Sequence, residues 1–317
     1  MTSFINSVDQ RTQLAGANRL EVLLFSLGED VGSEREEVFG INVFKVREVM
    51  HVPDITRAPD MPDAVEGMVS LRGTMVPVIN LQKFCRVQCQ ERPKILMITE
   101  YNKHVQGFLV DSVETIERLS WEDVKTPPPM VTSRLGGLVT AVAELADKRL
   151  VMIMDVEKVL AETAKFYDDE LLFDEIDVYE EREIHGLFAD DSSVARKQIT
   201  TTLDHMNIKH ISAVNGAEAW NKLKEIAERA EAAGKPVNEF VQFVLTDVEM
   251  PEMDGYVLTQ KIKGDPRFKD IPVLMHSSLS ADANQALGKG VGADAYIPKF
   301  EPRELAATLV RVLGTDD

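Results

Sequence analysis

The order of apolar and polar positions divides the chain into two stretches with different rhythms. From about residue 18 to 165, short apolar runs alternate with turn-forming residues, the rhythm of a small barrel or sandwich. Leu20–Ser26, Val38–Val43, Thr74–Asn80, Ile95–Glu100, Val105–Val110, Leu138–Leu145 and Leu150–Asp155 are expected strands. Pro77 cannot donate to a ladder, so its strand is expected at an edge or a bulge. Tyr101-Asn102-Lys103-His104 predicts a four-residue hairpin loop, and Asp147-Lys148 a second turn. Two helices are expected, one near Met61–Glu66 led by Pro62 and one over Val156–Lys165 capped by Asp155. From about residue 184 the rhythm becomes strand then helix, repeated to the end. Strands at His185–Asp190, His210–Val214, Phe240–Thr246, Ile271–His276 and Ala295–Pro298 alternate with helices at Ser193–Met206, Ala217–Ala233, Gly255–Lys263, Ala281–Lys289 and Arg303–Leu313. Such βα units predict a doubly wound parallel sheet.

Charge marks the boundary between the two. The 317 residues carry 35 Lys+Arg and 53 Asp+Glu, a formal net charge of −18. Residues 1–165 hold 19 basic and 24 acidic residues and residues 186–317 hold 15 and 20, so each stretch is only −5. Residues 166–185 hold one basic and nine acidic residues, net −8. Three units are therefore expected: 18–165, an acidic linker or short helix over 166–183, and 184–317. The linker FYDDELLFDEIDVYEERE reads either as a solvated connector or as an amphipathic helix with a stripe at Leu172, Ile176 and Tyr179. A net negative chain is repelled by nucleic-acid phosphates and by anionic membranes, so neither is expected as a partner. No apolar run is long enough to span a membrane, and the first residues lack the apolar centre of a signal peptide. Cys85 and Cys89 are too few for a disulfide framework or a four-cysteine zinc site. A soluble cytoplasmic protein with reduced thiols is expected.

The chemistry lies in the second stretch. The first has no nucleophile elbow and no glycine-rich phosphate loop, and reads as a binding module. In a doubly wound sheet the working crevice lies beyond the carboxyl ends of the strands. There the sequence places Asp190 and Asp191, Asp247, Ser277 and Lys299. Converging carboxylates repel one another and raise their own pKa values, a strain that a divalent cation relieves. Hard oxygen ligands point to Mg²⁺. A Ser hydroxyl and a Lys ammonium can hold phosphoryl oxygens, and an Asp carboxylate can form an acyl phosphate. The set argues for phosphoryl transfer to Asp247.

Two family resemblances follow from motifs. Gly67-Met68-Val69-Ser70-Leu71-Arg72-Gly73-Thr74-Met75-Val76-Pro77-Val78-Ile79-Asn80-Leu81 resembles the signature of the CheW-like coupling domains, and Phe39-Gly40-Ile41 with Val46-Arg47-Glu48-Val49 upstream resembles that family's strand pair, a resemblance that covers residues 18–165. Ser70 stands for the family's usual Asn, and Asn80 for its usual Asp. The resemblance implies an all-β domain of two SH3-like barrels that bridges chemoreceptor (methyl-accepting chemotaxis protein) tips and the CheA histidine kinase. Glu48 and Arg72 are then candidates for partner contacts. Arg72 can equally serve only to tie its own loop.

Phe188-Ala189-Asp190-Asp191-Ser192, Leu245 through Gly255, Pro272 through Ser278 and Gly292 through Phe300 resemble the CheY-like response-regulator receivers, an α/β doubly wound (βα)5 fold. By that resemblance Asp247 is the phosphoacceptor. Asp191 is a direct Mg²⁺ ligand, Asp190 a ligand acting largely through water, and Glu249 a donor of its backbone carbonyl. Ser277 is the switch hydroxyl, Tyr296 the aromatic that turns inward with it, and Lys299 the charge partner of the phosphate. Receivers usually carry Lys-Pro after the fifth strand. Here Pro298 precedes Lys299 and Phe300 follows it, so a different approach of Lys299 is expected. Glu249 beside the acyl phosphate is expected to slow self-dephosphorylation. A CheW-like domain followed by a receiver resembles the CheV family of chemotaxis coupling proteins. It implies a cytoplasmic, receptor-array-associated adaptor that is not an enzyme beyond its own phosphorylation cycle. A receiver merely localised by the CheW-like module, or a hydrolase using the three carboxylates, are the other readings.

Overall fold

The computed structural model describes residues 19–31, 36–57, 59–101, 104–134, 137–164, 173, 176, 178, 183–277 and 290–314. Chain contacts divide it into two compact units, one over Leu20–Phe166 and one that includes Tyr167–Asp317.

The first unit holds two five-stranded sheets. One is ordered β8-β1-β2-β10-β9, with β1 at Arg19–Ser26, β2 at Val38–Asn42, β8 at Ser112–Ser120, β9 at Val139–Glu144 and β10 at Leu150–Met154. The other is ordered β3-β6-β7-β5-β4, with β3 at Val46–His51, β4 at Val65–Leu71, β5 at Thr74–Asn80, β6 at Ile95–Tyr101 and β7 at His104–Val110. Each sheet has its own apolar core. Val22, Leu24, Val124, Ala141 and Val151 fill the first, and Val69, Val76, Val78, Leu96 and Ile98 the second. Three short helices follow strands or loops: α1 at Leu81–Phe84, α2 at Pro129–Arg134 and α3 at Val156–Ala164. Asp155 caps α3 as expected, accepting from the Lys158 N–H at 3.1 Å.

Several sequence expectations need correction here. Met61–Glu66 is not a helix. Val65 N–H bonds to the Pro62 carbonyl in a turn, and β4 begins at Val65. Tyr101 pairs with His104, so the β6–β7 loop has two residues rather than four. Pro77 lies on an interior strand, not an edge. The β5–β7 ladder begins one residue later, at Val78 opposite Gly107, and β4 shifts register between Val65 and Gly67. The missing N–H of Pro77 thus falls outside the β7 ladder. Strands β4 and β8 were not expected, and β3 was implied only by the family motif at Val46–Val49. In β8, Glu114 through Arg118 are all exposed, so it carries no apolar alternation to read.

The second unit is a five-stranded parallel sheet ordered β12-β11-β13-β14-β15, the doubly wound arrangement. Its strands are β11 at His185–Ala189, β12 at Lys209–Ala213, β13 at Phe243–Asp247, β14 at Val273–Ser277 and β15 at Ala295–Pro298. The helices are α4 at Ser193–His205, α5 at Gly216–Ala233, α6 at Gly255–Gly264 and α7 at Pro302–Leu313. The helix expected at Ala281–Lys289 lies outside the described residues. Two apolar layers cover the two faces. Phe188, Leu245, Leu274 and Ile297 meet α4 and α7, while Leu187, Val244 and Val273 meet α5 and α6.

Most of the acidic linker lies outside the described residues, but its described residues touch this second unit. Phe173 is buried and stacks on His205 at 5.2 Å between ring centroids, and Ile176 packs against the core that α4 and α7 cover.

Gly186 on β11 shows how tightly these layers close. A Cβ there would meet the Phe243 ring at 2.2 Å. Gly186→Ala should lower the stability of this unit by about 1–3 kcal/mol through overpacking, with no change in the denaturant slope. Urea unfolding followed through Trp220 of this unit checks it; an unchanged midpoint refutes the packing assignment.

Candidate functional site

β11 and β13 run in register, Ala189 beside Thr246, so Asp190 and Asp247 emerge from adjacent strand ends. The turn after β11 is fixed by its own polar groups. Ser192 N–H donates to Asp190 Oδ1 at 2.9 Å, and Arg196 Nη1 donates to the Asp190 and Asp191 carbonyls at 2.7 and 2.9 Å. Ser192 Oγ caps α4 by accepting from Ala195 N–H at 3.4 Å. Asp247 Oδ1 accepts from Val248 N–H at 2.7 Å. Carboxylate oxygens of Asp190, Asp191 and Asp247 come within 4.8 Å of one another. This all-oxygen, three-carboxylate donor set fits a hard divalent cation.

Opposite them stands Lys299, 2% exposed. Its Nζ lies 2.8 Å from Asp247 Oδ2 and 2.9 Å from Asp190 Oδ2, and its N–H donates to the Ser277 carbonyl at 2.9 Å. No described peptide bond is cis; the chain turns instead at buried Phe300, whose φ is +63°. A non-glycine residue there costs roughly 1–2 kcal/mol. The altered turn still delivers the ammonium to both carboxylates.

The carboxylates do not all behave as repulsion alone predicts. Burial pushes Asp247 well above the usual carboxylate range, and the Asp190 and Asp191 charges add to this against Lys299. Asp190 departs the other way. Burial alone would raise it, but the Lys299 charge, with His276, outweighs burial and holds it at about 2. His276 is buried on β14, with Nδ1 3.9 Å from Asp190 Oδ2. Its place directly before Ser277 in the sequence was the signal for it. Ser277 is buried and Tyr296 half-buried on the same two strands.

The floor of the site is backbone. A Cβ on Gly255 would lie 2.0 Å from the Asp247 carbonyl, so only glycine lets α6 start this close. Asp254 caps α6, its Oδ1 accepting from Val257 N–H at 2.7 Å. Burial pushes Asp254 up to about 6 against its backbone hydrogen bonds, with the Glu249 charge adding to the rise.

In the first unit, Glu48 and Arg72 meet. Arg72 and Gly73, with φ of +50° and +85°, form the tip of the β4–β5 hairpin. Arg72 Nη2 donates to Glu48 Oε2 at 3.1 Å, with the two side chains 74% and 37% exposed. Such a pair contributes about 0–1 kcal/mol. Asn80 caps α1, accepting from Lys83 N–H at 3.3 Å, and donates to Glu66 Oε1 at 3.0 Å. Ser70 is exposed.

The fold and site define a two-domain signalling protein, a CheW-like module joined to a receiver. The CheW-like domain model matches residues 21–164, and the response regulator receiver domain model matches residues 187–310. The chemotaxis protein CheV3 of Helicobacter pylori is 32% identical over 302 residues, 93% of this chain and 95% of that protein. CheV1 of the same organism is 26% identical across 99% of both chains. The chemotaxis protein CheW of Klebsiella aerogenes is 28% identical over 143 residues, 44% of this chain and 81% of its own length. The chain belongs to the CheV family: it is a chemotaxis coupling adaptor with a phosphorylatable receiver. No helix among the described residues is long and apolar enough to cross a membrane.

Asp254 generates a pH prediction. Its folded pKa lies above its ordinary value of 3.8. The folded state therefore binds this proton more tightly, and the associated stability is present below pH 4 and lost as pH rises through about 6. Asp254→Asn keeps one capping oxygen and removes the buried charge. It should stabilise the receiver by about 1–2 kcal/mol at pH 7.5, the gain vanishing as pH falls toward 4. Unfolding midpoints across that range test this; a pH-independent difference contradicts it.

Proposed function

We propose that Asp247 is the phosphoacceptor of this adaptor, and that a CheA-type histidine kinase is the donor. The observation that carries the reading is Lys299, buried between Asp190 and Asp247 beside a third carboxylate. An Asp247 carboxylate oxygen attacks the phosphorus. The O–P bond of an acyl phosphate forms as the donor histidine's N–P bond breaks, and the departing imidazole takes up a proton. Lys299 turns from the carboxylates to the new phosphoryl oxygens, and Ser277 donates its hydroxyl to one of them. Asp190, Asp191, Asp247 and the Glu249 carbonyl would hold Mg²⁺, which supplies charge neutralisation for the transferring group. Tyr296 turns inward behind Ser277, and the face around β15 changes. Apart from its own phosphorylation and dephosphorylation, the chain is not an enzyme.

The first unit, with the solvent-exposed Arg72–Glu48 pair on its surface, docks on chemoreceptor tips and on the kinase. Phosphorylation adds roughly one to two negative charges at the receiver crevice and shifts the population of coupling-competent adaptors. The protein acts in the cytoplasm at receptor arrays, and the output is tuned kinase signalling, by adaptation or as a phosphate sink.

Incubation of the full chain with phosphorylated kinase and Mg²⁺ should move the label to the adaptor, and Asp247→Ala should abolish this. In reconstituted arrays, phosphodonor should change kinase activity with the parent chain and not with Asp247→Ala. Label transfer that survives Asp247→Ala overturns the assignment. Glu249→Asn should shorten the acyl-phosphate half-life severalfold, because a carboxylate that repels or misplaces the attacking water is gone. An unchanged or longer half-life rules out that role.

A further inference from the structure

The receiver holds a polar group that the phosphoryl chemistry above does not use. Tyr256, the second residue of α6, is 6% exposed. Its ring packs with Val248 and Met275, and Tyr296, Val291 and Ala293 lie against the same cluster. Among the described residues, its hydroxyl is buried and makes no hydrogen bond. A buried phenol usually finds a partner, and one without bears the full cost of its desolvation.

Strand alternation shows where this hydroxyl sits. Met275 is opposite Tyr296 across β14 and β15, and Ser277 follows Met275 by two residues. Ser277, Met275 and Tyr296 therefore share one sheet face, the face on which Tyr256 packs, while His276 and Ile297 point to the other. Tyr256 thus stands on the side where the switch hydroxyl and the switch aromatic act. Burial, then the charges of Tyr296, Glu249, Asp254 and Asp247, push its own ionisation far up. It stays a neutral hydroxyl able both to donate and to accept.

We propose that Tyr256 is a positioning residue of the phosphorylation response: its hydroxyl is unsatisfied in the resting chain and is hydrogen-bonded by the Tyr296 hydroxyl once that ring turns inward. The resting state carries the cost of a bare hydroxyl, and the switched state does not. That difference biases the receiver toward the switched state in addition to whatever the phosphoryl group contributes. The proposal rests on the reading of Asp247 as the phosphoacceptor, and deepens it.

The test titrates full chain and Mg²⁺ with beryllofluoride as phosphoryl analogue, for the parent, Tyr256→Phe, Tyr296→Phe, the double variant and Asp247→Ala. Tyr256→Phe should weaken beryllofluoride binding about three- to tenfold, the worth of one hydrogen bond. Tyr296→Phe should do the same, and the double variant should bind no worse than the weaker single one. Without beryllofluoride, Tyr256→Phe should melt no lower than the parent, since it removes an unsatisfied group. A purely structural tyrosine would lower that melting point instead, and such a result overturns the proposal. So does unchanged affinity in Tyr256→Phe, or losses that multiply in the double variant. A parent chain that does not bind the analogue, or binding that survives Asp247→Ala, brings down the phosphoacceptor reading and this proposal with it. Normal parent binding that Asp247→Ala abolishes, with no effect of Tyr256→Phe, brings down the proposal alone.

Discussion

One buried cation organises the receiver. Lys299, almost fully buried, sits 2.8 and 2.9 Å from two carboxylates, and a third carboxylate lies alongside. Without that ammonium, three acids at the ends of two adjacent strands would not share a crevice at tolerable cost. Its effect is uneven. It wins against burial at Asp190 and loses at Asp247, so the site holds one firm anion and one carboxyl for which charge is expensive. This asymmetry is in keeping with the proposed division of labour, in which Asp190 is a fixed electrostatic scaffold and Asp247 the group that changes state. The closeness of Gly255 to the Asp247 carbonyl, the Ser192 turn and the Asp254 cap all keep those side chains at the spacing on which the balance depends.

Much of the receiver was legible before any coordinates, because its information is local. Its central strands are short apolar runs, Ser192, Asn215 and Asp254 cap the helices that follow them, and chemistry-bearing residues sit at or just after strand ends. Asp190, Asp191, Asp247 and Lys299 could be brought together by topology alone, and the structure does bring them together. What sequence reasoning missed depends on depth within the fold. The lowered Asp190, the buried His276 and the bare Tyr256 hydroxyl are consequences of packing, which residue order does not display. Phe300 is a middle case. The order Pro298-Lys299-Phe300 warned that the usual turn was impossible, but not that a left-handed phenylalanine would restore the reach of Lys299.

The CheW-like unit was less legible, for a physical reason. Small barrels bury one face of short strands, and a strand such as β8 that exposes both faces leaves no alternation to detect. β4 was likewise hidden, because it is entered from a proline turn that imitates a helix start, and β3, nowhere fully buried, was legible only through the family motif. The motif residues were still placed sensibly. Asn80 caps α1 and bonds to Glu66, so both ends of its amide are used within the turn.

The Arg72–Glu48 contact has an implication for how such an adaptor can associate and dissociate. The two charges are held at the tip of the β4–β5 hairpin and on β3, at the two ends of the sheet's strand order, mostly in water, so parting them is nearly isoenergetic. A docking protein that offers an acid to Arg72 and a base to Glu48 exchanges one solvated pair for two, at little thermodynamic gain. In the proposed docking, affinity has to come from apolar surface such as the exposed Met75 beside the hairpin tip. The ions set orientation and encounter rate, and the contact should loosen as ionic strength rises. In the proposed docking role, a contact of this kind favours fast exchange of neighbours over tight retention.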